Sequence, residues 1–169
     1  MRSPVLDVYD QYRTARLNIR YLESELQKLH RKNFGMEFTL AVSTSSGVTG
    51  LWFWQSIFGG FIWKLLGAFA VILSIVKPML GIPKKIQRKE EMLAGYRALE
   101  HDLEKLKIII NQQQTYSREL QQKFLEALDR KGDLIKLDQD AKKDPKLLEA
   151  CYQQVLKELP ADEFYVPDE

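Results

Sequence analysis

Side chains able to do chemistry on a substrate are few and scattered. The chain has two histidines, His30 and His101, and one cysteine, Cys151. A metal site needs several such donors converging at ligand spacing. Neither histidine has a neighbouring cysteine or a repeated acidic spacing, so no metal is expected. Cys151 cannot form an internal disulfide, which fits a reducing compartment, and it falls in the apolar stripe of a short helix. No Gly-rich run ending in Lys and Ser/Thr is present to cradle a phosphate. Ser45–Gly47 lacks the strand–turn–helix setting and the partners of a nucleophile elbow. Glu90 with Glu91, and Asp102 with Glu104, read as solvated charge on helices. The expectation is therefore no catalytic residue, no cofactor and no enzyme.

The more suggestive polar residues are hydroxyls within an apolar run. Thr39, Ser43, Ser46 and Thr49, with Gln55, mark one side of the uncharged stretch Phe38–Ile57. Such a face can line a narrow passage or hydrogen-bond across packed helices. Gly47, Gly50 and Gly67 would permit close helix approach. The stretch is long enough as a helix to cross about 30 Å of hydrocarbon. A second run, Phe61–Ile82, is most apolar from Leu65 to Val76, with Lys64 and Lys77 placed to snorkel. Trp52, Trp54 and Trp63 surround Phe58–Gly59–Gly60 and suit a membrane interface.

These runs predict an all-α membrane protein, a two-transmembrane helical hairpin with long cytoplasmic coiled-coil helices. The N-terminus lacks the pattern of an ordinary cleaved signal peptide. Basic residues flank the hairpin: Lys28, Arg31 and Lys32 before it, and Lys84, Lys85, Arg88 and Lys89 after it. Of these, Arg31, Lys32, Lys84, Lys85, Arg88 and Lys89 join the tryptophans as interface anchors. The positive-inside rule then puts both termini in the cytoplasm, with anionic lipid against the flanks.

Outside the hairpin, helical seams dominate. Val5, Val8, Tyr12, Ala15, Ile19, Leu22, Leu26 and Leu29 recur at spacings of three and four, a heptad pattern. Leu93, Tyr96, Leu99, Leu103, Leu106, Ile110, Gln113, Tyr116, Leu120, Phe124 and Leu128 form a second, less regular seam. The two can pair within one chain or between chains. A shorter helix is expected over 145–159, with Leu147, Leu148, Cys151, Val155 and Leu159 on its apolar side. The expected organisation is a cytoplasmic N-terminal helix (1–36), the two-span hairpin (37–82), a long cytoplasmic helix (83–131), and a linker, short helix and acidic tail (132–169).

The order of Tyr12–Lys32, the hairpin Phe38–Ile82 and the basic exit Lys84–Glu91 resembles the bacterial SLATT-like family of two-transmembrane effectors. That resemblance implies an oligomeric effector that forms an ion-permeable pore or disrupts the bacterial inner membrane in antiviral defence. It implies homo-oligomers, contact with membrane lipids and a separate nucleotide-sensing or signalling partner. Direct nucleic-acid binding is not expected. The competing reading is a non-conducting coiled-coil membrane scaffold that organises partner proteins; membrane remodelling is a third.

Overall fold

The structure, a computed structural model, describes residues 4–53, 61–138 and 143–160, leaving aside the side chains of 43–53, 61–67, 70, 73 and 78. The described elements are all helices: α1 (Pro4–Phe53), α2 (Phe61–Leu80), α3 (Ile82–Gln113), α4 (Arg118–Leu137) and α5 (Pro145–Glu158). They divide into two compact units. Unit 1 comprises Met1–Ser24 and Lys89–Glu169, and unit 2 comprises Glu25–Arg88.

Unit 1 is a four-helix bundle of the first part of α1, most of α3, α4 and α5. The three-and-four spacing of Val5, Val8, Tyr12, Ala15, Ile19 and Leu22 places them on one side of α1, and all are buried. Leu99, Leu103, Leu106 and Ile110 are the buried row of α3, and Leu120, Phe124, Ala127 and Leu134 that of α4. Polar contacts fix the register of these apolar faces. Tyr9 Oη donates to Asn111 Oδ1 at 2.7 Å, and Lys131 Nζ donates to Gln11 Oε1 at 2.5 Å. These tie α1 to both α3 and α4.

Local signals set the helix ends. Gln114 adopts φ 52°, which a continuing α-helix cannot use, and the chain turns there between α3 and α4. Ser117 then caps α4 by accepting from Leu120 N–H at 3.3 Å. Asp144 caps α5 by accepting from Lys146 N–H and Leu147 N–H, with Pro145 entering the first turn. The seam over 93–128 is thus shared by two helices joined by a turn.

α5 is held by its own apolar row and by three arginines of α1. Cys151, Val155 and Leu159 are buried. Arg13 Nη2 donates to the Leu159 carbonyl at 2.7 Å, Arg20 pairs with Glu158 at 2.8 Å, and Arg16 reaches both Glu158 and Glu100. At the other end, Asp144 N–H donates to Tyr21 Oη at 2.9 Å.

In unit 2, α1 continues to Phe53, α2 follows, and Gly81 at φ 57° permits the sharp turn into α3. Leu26, Ile82 and Ile86 are buried. Lys77 Nζ meets Glu37 Oε1 at 3.1 Å.

The expectation of a two-transmembrane hairpin with long coiled-coil helices is corrected by this architecture. Among the described residues, no helix is long and apolar enough to cross a membrane. Within the described residues, α1 contributes the uncharged stretch Phe38–Phe53, in which six of sixteen residues are Ser or Thr. Between Lys64 and Lys77, α2 has twelve uncharged residues. Spanning takes about 20 predominantly apolar positions. The heptad seams do not extend as a coiled coil; from Val5 to Leu22 and from Leu93 to Phe124 they close within unit 1 as a bundle.

Candidate binding surfaces

The most distinctive surface belongs to unit 2. Phe34, Phe38 and Val42 recur every fourth residue on α1 and are exposed, with the Phe34 and Phe38 rings stacked at a centroid separation of 6.1 Å. On α2, Phe69, Val71, Ile72, Ile75, Val76, Met79 and Leu80 are exposed as well. Spacings of three and four put Phe69, Ile72, Val76 and Met79 along one side of that helix. The row from Phe69 to Met79 covers about 15 Å of helix at 1.5 Å per residue. Scattered exposed apolar residues are ordinary, but a continuous row of large ones marks an interaction surface.

Charge gathers at one end of this surface. Unit 2 carries eight basic and two acidic side chains, a net charge of +6, so the rest of the chain is net −4. Arg31 precedes Phe38 by seven residues, and Lys28 precedes Val42 by fourteen, so each shares a face of α1 with the apolar residue. Lys28, Arg31 and Lys32 are exposed, as are Lys84, Lys85 and Arg88 on the first turns of α3. Glu37 is held below the ordinary carboxylate range by its hydrogen bond to Lys77 and by that residue's charge. Both acidic and basic chemistry at that pair is therefore engaged within the unit.

Unit 1 offers a shallower feature, a groove of about 320 Å³ between α3 and α4. Leu106, Ile109 and Ala127 form its apolar lining, with Asp102, Lys105, Lys123, Glu126 and Arg130 around them. Arg130 pairs with Asp102 from the opposite helix, and Lys105 lies 3.9 Å from the same carboxylate. Its charges thus largely serve one another.

His30 is exposed in unit 2 and His101 is exposed on α3 in unit 1, while Cys151 is buried in α5. Among the described residues, no group of three or more His, Cys, Asp or Glu side chains converges to hold a metal ion. No family model, curated protein or solved structure matches the chain.

The SLATT-like resemblance is accordingly corrected. It rested on the order of helices around a two-span hairpin, and neither a matching family nor a spanning helix among the described residues supports it. The inferences drawn through it are corrected with it: the pore or membrane-disrupting effector, the membrane scaffold, the membrane-embedded homo-oligomer with lipid and nucleotide-sensing partners, and placement in the bacterial inner membrane. Each needed the hairpin as its foundation.

Thr39 is partly buried and donates to the Gly35 carbonyl at 2.8 Å, so its hydroxyl satisfies its own helix. Ser43, Ser46, Thr49, Gly47, Gly50, Gly67, Trp52 and Trp63 lie where side chains are outside the described set, and Gln55 and Trp54 lie outside the described residues. Arg31, Lys32, Lys84, Lys85 and Arg88 are exposed, whereas Lys89 is buried. Tyr12, Ile19, Leu22, Leu26, Leu99, Leu103, Leu106, Ile110 and Leu120 are buried within the single chain, and Leu29 is partly buried. The exposed row on α2 falls within the run that the sequence reading gives to lipid, and its helical spacing is visible in the sequence.

Proposed function

We propose that this chain is a non-catalytic helical binding module that engages a protein partner through the exposed apolar face of unit 2. The observation that carries this reading is the row Phe69, Ile72, Val76 and Met79, each large, apolar and open to solvent. Burying such a side chain gains about 1.5–3 kcal/mol relative to leaving it exposed. Four in a row supply the kind of anchor that helix-in-groove recognition uses. The bundle of unit 1 has a closed core and interlocking ion pairs, which suits a folded support.

A library of displayed helical peptides selected against the full chain tests this. Selected binders should lose about tenfold or more in affinity for Ile72→Asp, a change on the exposed row, and little for Leu125→Asp on exposed α4 surface. Binders indifferent to Ile72→Asp would place recognition elsewhere and overturn the reading. A purified chain with measurable turnover independent of this face would overturn its non-catalytic part.

A further inference from the structure

The apolar row says that something docks on unit 2; the charge beside it says what kind. We infer that the partner of this face is an acidic amphipathic helix, an inference that rests on the binding-module reading above. Its apolar stripe lies against Phe69, Ile72, Val76 and Met79, and its carboxylates meet the basic end of the unit.

Three observations converge on that chemistry. First, the row on α2 has helical spacing and covers about 15 Å, which a partner helix of about three turns matches. Second, six of the eight basic residues, Lys28, Arg31, Lys32, Lys84, Lys85 and Arg88, belong to the end of the unit away from Lys64. Lys84 and Lys85 follow Met79 by five and six residues across the turn at Gly81, and both are exposed. Arg31 lies on the α1 face that carries Phe38. Third, the unit's charge of +6 is uncompensated by the acids within it, of which there are two. A cationic partner would meet like charge at that end, a juxtaposition that disfavours the wrong partner. A neutral apolar helix would draw no orientation from the exposed Lys84, Lys85 and Arg31. An acidic helix satisfies both parts of the surface, the apolar row giving affinity and the charges giving orientation and a fast, salt-dependent on-rate.

The test uses the full chain and two synthetic helical peptides of about three to four turns. Both carry the same leucine stripe, one with glutamates and one with lysines on the flanks. Fluorescence anisotropy should show the acidic peptide binding at least about tenfold more tightly at low salt, with the preference shrinking as salt is raised. Lys84→Glu with Lys85→Glu should erase the preference, and Arg31→Glu should reduce it independently. All three positions are exposed, and an unchanged melting curve verifies that each variant folds. Ile72→Asp should abolish binding of both peptides.

Equal binding of the two peptides, still lost in Ile72→Asp, would overturn the acidic partner while leaving the docking face standing. Binding of neither peptide would overturn both readings. Two further outcomes overturn the acidic helix as the occupant. One is tighter, Ile72-dependent association with vesicles of phosphatidylserine and phosphatidylcholine than with the acidic peptide. The other is a dimer in sedimentation that Ile72→Asp dissolves and that the acidic peptide fails to displace.

Discussion

Leu134 Cδ2 occupies the space that a Cβ on Gly95 would fill, so α3 meets α4 through a glycine facing a buried leucine. Alanine at position 95 would gain helix propensity of about 1 kcal/mol. It would also press on Leu134, and overpacking costs about 1–3 kcal/mol. The leucine is the movable end of a flexible side chain, so Gly95→Ala should destabilise unit 1 by about 1 kcal/mol net. In a Leu134→Ala background the same change should turn neutral or stabilising. Urea denaturation of the four proteins in that cycle measures the coupling.

The register of α3 makes a sharper contrast. Ile110 is fully buried, while Ile108, two residues earlier, is about half exposed. Ile110→Ala should cost about 2–5 kcal/mol, the range for a buried aliphatic cut back to alanine. Ile108→Ala should stay within about 0.5 kcal/mol, as surface changes do. Midpoints of chemical denaturation with unchanged slope compare the two directly.

The start of α5 depends on one carboxylate. Asp144 accepts from Lys146 N–H at 3.1 Å and Leu147 N–H at 3.4 Å. Asp144→Ala should cost about 1 kcal/mol, and Asp144→Ser should recover most of it. Hydrogen exchange at the first turn of α5 should accelerate in the alanine variant alone.

Acid should loosen α5 from α1. Burial raises the pKa of Glu158, but the hydrogen bond and charge of Arg20, aided by Gln154 and Arg16, outweigh it and hold the carboxyl below its ordinary 4.5. The folded pKa is depressed, so this stabilisation is complete above the unfolded value and is lost as pH falls through the folded one. Wild-type unit 1 should therefore lose more stability between about pH 6 and pH 3 than Glu158→Gln. Equal acid sensitivity would remove Glu158 from the account.

Much of unit 1 was legible in the chain itself. Val5, Val8, Tyr12, Ala15, Ile19 and Leu22 recur at helical spacing because they share the buried side of one helix, and Leu99, Leu103, Leu106 and Ile110 do the same on α3. The turn after Gln113 was not legible. Asn, Gln and Thr are tolerated on a helix surface, and the positive φ of Gln114 has no glycine to announce it. Unit 2 misled for a different reason. Hydropathy reports that side chains leave water, not what they meet. The exposed row of α2 satisfies a lipid pattern and a protein-docking pattern equally until helix ends and charges are placed. Among the described residues, the hydroxyl-rich stretch of α1 and the lysines flanking twelve uncharged residues of α2 separate the two patterns.

Two methionines report on whether the apolar face of unit 2 is open to a partner. Met79 is 81% exposed on that face, whereas Met92 is 3% exposed in unit 1. Methionine oxidation converts an accessible thioether to a sulfoxide. Mass spectrometry of the purified full chain under dilute peroxide gives both rates in one sample. The account predicts that Met79 oxidises at a rate close to that of free methionine and Met92 at least about tenfold more slowly, with the acidic helical peptide protecting Met79 alone. Equal protection of the two methionines in the chain without peptide would mean that the face is already covered, and would contradict the account.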